Sequence, residues 1–182
     1  PEINIREITQ AGKYYENGKW NIIPAMSVNQ TINFPEIGNK KAYLLYHEEL
    51  ESLIKHIPSI QRIRFWMTFS DTYLNYLNVL KDIGMTSIKP IKHNNKEIIP
   101  LEFLKTLLPD PTSLSKNYTG KTCIGTIITG KIKGKTKTKV LYNICSHESC
   151  HKELNAQAVS YTTGVPAMIG AKMILTKKWT GK

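Results

Sequence analysis

Cysteine, long apolar runs and glycine-rich motifs are all scarce in this sequence, and each shortage excludes a class of protein. The three cysteines are an odd number in a 182-residue chain that is long enough to bury a core without disulfides, so we expect reduced thiols. No apolar run approaches the roughly 20 residues that span a bilayer, and the first residues do not form a signal peptide. We therefore expect a cytoplasmic protein with no membrane partner.

The glycines do not form a nucleotide-binding fingerprint. Gly12, Gly18, Gly38 and Gly84 are isolated from one another, and the later glycines fall among lysines and β-branched residues, where turns and bulges are expected. A Rossmann domain needs a glycine-rich turn between a strand and a helix, with the spacing G-x-G-x-x-G. The sequence therefore contains no cofactor-binding motif of that kind.

What is present is typical of a basic globular domain. Hydrophobic residues make up 41% of the chain, so we expect a single domain over residues 1–182. The net charge of +11 raises the alternative of a polyanionic partner. The most basic stretch is an alternating run of Lys131, Lys133, Lys135, Lys137 and Lys139. Alternation predicts that these lysines protect one face and edge of a hairpin, and no aromatic residue is interleaved for base stacking, so we expect no nucleic-acid partner.

The residue patterns predict an α+β fold: a mixed, mostly antiparallel sheet with helices on one face. Asn17-Gly18 predicts a hairpin between residues 14–15 and 20–23. We predict other strands at 3–8, 31–34, 41–46 and 63–69, helices at 48–57, 70–83 and 100–108, and a second hairpin joining 122–129 to 138–145.

Cys145, His147, Cys150 and His151 resemble zinc ligands only superficially. Structural zinc takes one ligand pair from one turn and a second pair from a distant turn, and this sequence has no second pair. We therefore predict no metal site and interpret the segment as a link between the last strand and the last helix.

The segment at residues 157–179 combines a helical pattern with a proline and a row of small residues. The positions Ala158, Tyr161, Thr162, Val165, Ile169, Met173 and Ile174 recur at helical spacing and predict a core-facing stripe. Pro166 requires either a helix that begins near Gly164 or a longer helix that is kinked there. Both arrangements leave backbone groups of residues 161–164 free to bind a ligand, and the alternative is a kinked core helix with no ligand.

Arg64 is the polar residue that we would select first as a binding residue. It lies in Ile63-Arg64-Phe65-Trp66, which is otherwise suited to burial, and a buried guanidinium needs an anionic partner. Its planar fork fits a carboxylate. An internal salt bridge with one of the domain's own acids explains the same pattern equally well.

Several long segments, in order along the chain, resemble the carboxynorspermidine synthase branch of the saccharopine dehydrogenase family. They are PEINIREITQAGKYYENGKW, YLLYHEELESLIKHIP, IRFWMTFSDTY, DIGMTSIKPI, IIPLEFLKTLLPDP and SYTTGVPAMIGAKMILTKKW, and they span essentially the whole chain. The resemblance implies the substrate-binding and dimerisation domain of a homodimeric enzyme. The family's Rossmann domain is absent from this sequence, so the fragment alone should not transfer a hydride.

The resemblance also implies a reaction. A diamine, 1,3-diaminopropane or putrescine, would condense with aspartate β-semialdehyde, and NADPH, bound mainly by the missing Rossmann domain, would reduce the imine. The product would be carboxynorspermidine or carboxyspermidine, on the route to polyamines. The organic step belongs largely to the cofactor, and the protein positions the reactants.

Site residues follow from the same resemblance. Arg64 matches an LRY motif that meets a substrate carboxylate, with Arg62 as the fallback, and Thr86 aligns with another substrate-contacting position. Tyr161, Thr162 and Thr163 would present hydroxyls to the amino-acid end of the substrate. Acidic residues that could attract the diamine are Glu48, Glu49 and Asp71.

The proton donor is not determined by the sequence. His47 is a candidate because an imidazole is the side-chain group best suited to proton transfer near neutrality, and an exposed histidine at a helix start is the alternative. Two other functions also stay open. A saccharopine dehydrogenase of lysine metabolism would need a second cation, for which Arg62 is available, and a non-enzymatic interaction domain is the third reading.

Overall fold

A computed structural model of the chain describes residues 5, 8–109, 113 and 116–180. The chain divides into two compact units, unit 1 over Pro1–Leu108 and unit 2 over Pro109–Lys182. The α+β class is confirmed. The strands are divided among four small sheets rather than gathered in one mixed sheet, and every strand pair in the described residues is antiparallel.

Unit 1 contains three of these sheets. One has the order β2-β1-β5, the second β3-β4-β6, and the third is the pair β7-β8. The strands are β1 Gly12–Glu16, β2 Lys19–Ile23, β3 Asn29–Phe34, β4 Gly38–Leu45, β5 Arg62–Ile63, β6 Phe65–Thr68, β7 Ile91–His93 and β8 Lys96–Ile98.

Unit 1 also contains three helices whose bounds are described: α1 Glu49–His56, α2 Asp71–Asp82 and α3 Pro100–Leu107. The predicted boundaries are confirmed by their caps. The hydroxyl of Ser70 accepts a hydrogen bond from the backbone N–H of Tyr73 at the start of α2, and Pro100 occupies the first turn of α3, where its missing N–H costs nothing. Gly84, with φ of 79°, follows the end of α2.

The predicted strand at residues 3–8 is wrong. Ile5, Ile8 and Thr9 are helical, and the hydroxyl of Thr9 donates to the carbonyl of Ile5, one helical turn back; the other residues of that prediction lie outside the described part of the chain. Ile5 and Ile8 are spaced for one helix face, and they join a buried cluster with Leu77, Leu101 and Leu104. A spacing of three therefore outweighs the alternation in the local sequence.

The hairpins at Asn17-Gly18, Asn94-Asn95 and Lys133-Gly134 have two-residue loops in which both residues have positive φ. These angles define type I′ turns, whose twist matches that of the flanking strands. The first and third hairpins are as predicted. The hairpin of β7 and β8 was missed, although Asn is among the residues that tolerate positive φ.

In its described residues, unit 2 contains a long hairpin followed by two α-helices: β9 Lys121–Ile132, β10 Lys135–Ser146, α4 His147–Leu154 and α5 Ala158–Leu175. The segment interpreted as a link is therefore itself the helix α4. It is capped by Ser146, whose hydroxyl accepts from the N–H of Ser149, and it ends at Asn155 in the left-handed conformation.

The alternating lysines do not all share one face of the hairpin. The pairing places Lys131 opposite Thr136, whereas Lys135, Lys137 and Lys139 share the other face with Ile132, Gly130 and Ile128. Lys133 lies in the turn itself. Across the two-residue turn, odd-numbered residues of β9 lie opposite even-numbered residues of β10. Lysines at odd positions on both strands therefore project from opposite faces of the hairpin.

Helix α5 is continuous through Pro166, so the longer helix is the alternative that the structure adopts. The predicted stripe is correct for its first half and for Met173, which is half-buried. Ala158 is fully buried and Tyr161, Thr162 and Val165 are half-buried, but Ile169 and Ile174 are exposed. Within the described residues, no helix combines the length and apolar character that crossing a bilayer requires.

Candidate substrate-binding site

Arg64 lies where the chain passes from one sheet of unit 1 to another. β5 ends at Ile63 and pairs with β1, whereas β6 begins at Phe65 and pairs with β4. The single buried strand predicted at 63–69 is therefore divided at Arg64. Residues Phe65 to Met67 are only half-buried, and Arg64 belongs to neither strand.

The guanidinium of Arg64 is held on two sides. Its Nη2 donates to both carboxylate oxygens of Glu16, at 3.1 Å each, and its Cζ lies 5.0 Å from the centroid of the Tyr14 ring. Tyr14 and Glu16 are two residues apart in β1, so they project from the same face of the sheet. The carboxylate and the ring therefore fix the orientation of Arg64.

The internal salt bridge that the sequence left open is present, but the guanidinium is not buried. The side chains of Arg64 and Glu16 are each 32% exposed, and an ion pair at that exposure contributes at most about 1 kcal/mol. Among the described residues, no group accepts a hydrogen bond from Nη1 or Nε of Arg64. Two of the three nitrogens consequently keep donors for an anion that arrives from solvent.

Arg62 behaves differently. It lies directly opposite Glu16 in the pairing of β5 with β1, yet in the described part of the chain Glu16 forms its ion pair with Arg64 and not with Arg62. The two arginines therefore do not share one carboxylate partner.

Thr86 is half-buried. It lies in a turn after α2 and therefore does not begin a strand. The next residue, Ser87, donates its N–H to the carbonyl of Gly84 and accepts from the N–H of Leu101. These bonds connect the end of α2 to the start of α3 and hold the turn in place.

His47 lies between β4 and α1. Its Nδ1 contacts a carboxylate oxygen of Glu49, and its ring packs on Phe65 with 4.5 Å between centroids. Glu49 lies in the first turn of α1, where a negative charge is favoured by the helix dipole. The ring is thus oriented by a carboxylate, which is the arrangement that a proton-transferring histidine needs. Asp71, the other acidic candidate, lies in the first turn of α2.

A second charged cluster, which the sequence analysis missed, lies on the opposite face of β1. The ammonium of Lys13 donates to Oε1 of Glu51 at 2.7 Å and lies 4.4 Å from the Trp20 ring centroid and 5.1 Å from the Tyr46 ring centroid. The hydroxyl of Tyr46 donates to the same oxygen of Glu51 at 2.8 Å. Lys13 and Tyr15 are two residues apart on β1, so a strand pattern places their side chains on one face. No local pattern indicated that Glu51 on α1 would contact Lys13.

These contacts shift two pKa values. The hydrogen bonds from Lys13 and then Tyr46 hold the pKa of the Glu51 carboxyl below its ordinary value. The hydrogen bond to Glu51 raises the pKa of Tyr46, with burial adding to it. Glu51 is therefore ionised and Tyr46 protonated at neutral pH.

The three predicted residues of α5 lie in unit 2 and are engaged within it. The hydroxyl of Thr162 donates to the carbonyls of Ala158 and Val159, and the hydroxyl of Thr163 donates to that of Val159. Pro166 has no N–H to offer the carbonyl of Thr162, as the sequence predicts. The two threonine oxygens can still accept hydrogen bonds, although their protons are directed into the helix.

Tyr161 donates its hydroxyl to both carboxylate oxygens of Glu153 on α4, at 3.2 Å each. This hydrogen bond raises the pKa of Tyr161, with burial and the Glu153 charge acting in the same direction. The phenol is therefore held in its neutral form.

His147 has a structural role in unit 2. Its Nδ1 accepts the N–H of Ala158 at the start of α5, and its ring stacks on Tyr118 at 5.3 Å between centroids. In the described ranges, no three His, Cys, Asp or Glu side chains are grouped so that they could hold a metal ion.

Unit 1 thus contains Arg64, Thr86 and His47, and unit 2 contains the three α5 residues. Over residues 1–182 the chain matches the saccharopine dehydrogenase C-terminal domain, and it belongs to that family.

Three relatives with named activities are similar to this chain over 98–100% of its length. The chain is 54% identical to the carboxyaminopropylagmatine dehydrogenase of Synechocystis sp. over 179 residues. These residues are 98% of this chain and 45% of the relative. It is 45% identical over 183 residues to the carboxynorspermidine synthase of Vibrio alginolyticus, covering 100% of this chain and 44% of the relative. The carboxynorspermidine synthase of Vibrio cholerae is 42% identical over 180 residues, which cover 98% of this chain and 43% of that protein. The chain therefore spans less than half the length of these relatives.

Proposed function

We propose that the full-length protein is an NADPH-dependent oxidoreductase acting on CH–NH bonds, which joins aspartate β-semialdehyde to an amine by reductive condensation. The amine adds to the aldehyde, water leaves, and a hydride and a proton reduce the imine to a secondary amine. With 1,3-diaminopropane the product is carboxynorspermidine, and with putrescine it is carboxyspermidine, in polyamine biosynthesis. The observation that carries the proposal is the identity of 42–54% to relatives with the names given above.

The amine is the least determined substrate. The Synechocystis relative is named for an agmatine derivative and the two Vibrio relatives for norspermidine derivatives. Agmatine therefore belongs beside the two diamines in any test of the proposal.

In this proposal Arg64 binds the carboxylate of the semialdehyde. The open donors on Nη1 and Nε and the exposed third of the side chain support that role, because each of these N–H groups can donate a charge-assisted hydrogen bond to a carboxylate oxygen. Glu48, Glu49 and Asp71 remain candidates for the ammonium of the amine, and His47, oriented by Glu49, remains the candidate proton donor. The substrate contacts assigned to Thr86, Tyr161, Thr162 and Thr163 stay predictions, to be tested by single substitutions.

NADPH would supply the hydride. The sequence of this chain has no glycine fingerprint, so its own residues do not fit a dinucleotide, and we assign the cofactor to the part of the full-length protein that this chain does not span. The 182-residue chain alone should therefore leave NADPH unoxidised. We expect the full-length protein to work in the cytoplasm.

We also propose that the protein is a homodimer in which the hairpin of β9 and β10 meets its copy. One face of the hairpin exposes Ile127, Val140 and Tyr142 at 65%, 56% and 53%, and its two lysines, Lys121 and Lys131, lie at opposite ends of β9. The other face also exposes apolar side chains, Ile124, Ile128, Ile132 and Leu141, but it carries Lys135, Lys137 and Lys139, which would repel a second copy. A second copy on the face with Val140 would cover side chains that a two-stranded sheet cannot bury by itself.

Loss of NADPH absorbance in the presence of defined substrate pairs tests the proposed reaction. Turnover of aspartate β-semialdehyde with 1,3-diaminopropane, putrescine or agmatine is the expected result. Turnover only with glutamate and aminoadipate semialdehyde would move the protein to lysine metabolism. Absence of turnover with every pair would favour a non-enzymatic interaction domain.

A further inference from the structure

We infer that Glu16 is a positioning residue, which orients Arg64 so that its free donors receive the substrate carboxylate. The inference rests on the proposed function, because it concerns the same arginine. It assigns roles to Glu16 and Tyr14, whereas the resemblance in sequence assigned a role to Arg64 and to neither of them.

Nη2 of Arg64 is the nitrogen that Glu16 occupies, and it meets both carboxylate oxygens at 3.1 Å. A bidentate pair normally uses two nitrogens of the guanidinium, one for each oxygen. Here one nitrogen serves both oxygens, so the nitrogens Nη1 and Nε retain their protons for another acceptor. In the described residues no such acceptor is present.

Tyr14 restricts the remaining freedom of the guanidinium. The Cζ of Arg64 lies 5.0 Å from the ring centroid, within the range in which the face of an aromatic ring attracts a cation. The carboxylate fixes one corner of the guanidinium, and the ring limits its rotation about that corner. An arginine without such contacts loses rotamer entropy when it binds a ligand, whereas the contacts with Glu16 and Tyr14 restrict Arg64 beforehand and lower that cost.

The local fold explains why these three residues meet. Tyr14 and Glu16 project from one face of β1, and β5 pairs with β1 so that Arg62 lies opposite Glu16 and Ile63 opposite Tyr15. Arg64 follows at the position that comes next to Tyr14, where the ladder has ended. Opposite residues of paired strands project from the same face, so the register brings Arg64 to the face that carries Tyr14 and Glu16.

Glu16 also has an opposing effect, and its magnitude decides the outcome of a test. A carboxylate beside Arg64 repels a substrate carboxylate and competes for the same cation. If Glu16 acts only as a competing counter-charge, its removal strengthens substrate binding. If it positions Arg64, its removal weakens binding, and an amide that keeps one acceptor oxygen restores part of it.

The experiment compares the Michaelis constants of the full-length protein for aspartate β-semialdehyde and for the amine. We expect Glu16→Ala to raise the KM for the semialdehyde about tenfold, Glu16→Gln to raise it less, and both to leave the KM for the amine unchanged. Tyr14→Phe, which keeps the ring face, should match wild type, and Tyr14→Leu should raise the KM for the semialdehyde. Glu102→Ala is the control, because Glu102 also forms a surface ion pair in unit 1, with Lys105 on α3, and should leave both constants unchanged.

A KM for the semialdehyde that is unchanged or lower in Glu16→Ala would overturn the inference, while turnover by the wild type would leave the proposed function standing. If the wild type uses none of the amines, the proposed function itself fails. Binding of L-2-aminobutyrate, which has the amino-acid end but no aldehyde, gives a readout that needs no turnover. It should weaken in the same order, wild type, Glu16→Gln, Glu16→Ala, and equal affinities in the three proteins would contradict the positioning role.

Discussion

Arg64 and Glu16 are joined through one nitrogen, since Nη2 of Arg64 donates to both oxygens of Glu16 at 3.1 Å. The two residues are 48 positions apart, and the pairing of β1 with β5 brings them together. The ion pair therefore connects the first hairpin of unit 1 to the point at which the chain changes sheets. Residues at such a crossing are fixed by two sheets at once, which suits a group that must be presented in one orientation.

The cluster of Lys13, Tyr46 and Glu51 predicts a stability change at acidic pH. The pKa of Glu51 in the folded protein lies below its ordinary value of 4.5, because Lys13 and Tyr46 donate hydrogen bonds to the carboxylate. A lowered folded-state pKa means that the stabilising contribution is fully present above pH 4.5 and is lost as the pH falls through the folded-state pKa. We expect the melting temperature of wild type to exceed that of Glu51→Gln above this pH, and the difference to shrink below it.

Lys13, which donates to the Glu51 carboxylate, provides the control for the measurement at acidic pH. In a Lys13→Met background, Glu51→Gln should change the melting temperature much less at every pH, because the main stabilising hydrogen bond is already absent. A wild-type advantage that grows as the pH falls would contradict this account of Glu51.

Two glycines of β9 differ in what a side chain would meet. A methyl group at Gly125 would lie 2.6 Å from the carbonyl oxygen of Leu141 and 2.8 Å from Cβ of Tyr142, whereas nothing lies within 4 Å of the equivalent position at Gly130. We expect Gly125→Ala to lower the free energy of unfolding by about 1–3 kcal/mol, because the neighbouring backbone must shift. Gly130→Ala should change it by no more than about 0.5 kcal/mol. Urea denaturation of both variants measures the contrast, and equal midpoints would refute the close packing at Gly125.

The proposed dimer contact predicts different effects of substituting two neighbouring residues of β10. Val140 and Leu141 are 56% and 58% exposed but project from opposite faces of β10. If the face with Val140 is the dimer contact, Val140→Glu should yield monomers in light-scattering measurements, and Leu141→Glu should leave the dimer intact. A wild-type monomer, or dissociation by both substitutions, would refute the proposed contact.

Cys150 should be the slowest of the three thiols to react. It is 3% exposed, and burial raises the pKa of its thiol above the ordinary 9.0, with Cys145 and Glu153 adding to the effect, so both access and thiolate are reduced. Cys123 and Cys145 are half-buried. With iodoacetamide at mildly alkaline pH, peptide mapping should find label at Cys123 and Cys145 well before Cys150. In denaturant the three rates should converge, and early labelling of Cys150 in the folded protein would contradict its burial.

Local chemistry predicted much of this fold. The loop at Asn17-Gly18, the cap at Ser70 and the proline at the start of α3 are each recognisable because a few consecutive residues satisfy their own backbone. Helix α4 was missed for a different reason. It is too polar to show an apolar stripe. The residues that could have indicated a helix were Ser146, which caps its start, and Asn155, which adopts the left-handed conformation at its end.

Contacts between distant residues could not be predicted from local patterns. The sequence selected Arg64 correctly as a residue with an anionic partner, but it could not choose between an internal carboxylate and a ligand, because Glu16 is 48 residues away. Glu51 is likewise 38 residues from Lys13. The division of strands among four sheets also depends on such pairings, since an alternating pattern specifies a face and not a neighbour.

The most direct measurement is NADPH oxidation by the full-length protein with aspartate β-semialdehyde and each amine, for wild type and Arg64→Ala, with Glu102→Ala as the control. We expect turnover with at least one of 1,3-diaminopropane, putrescine and agmatine. We expect Arg64→Ala to lower kcat/KM roughly a hundredfold, through KM for the semialdehyde, because a charged hydrogen-bonded contact is removed. Arg64→Ala kinetics equal to those of wild type would contradict the carboxylate role, and turnover confined to glutamate with aminoadipate semialdehyde would contradict the polyamine function.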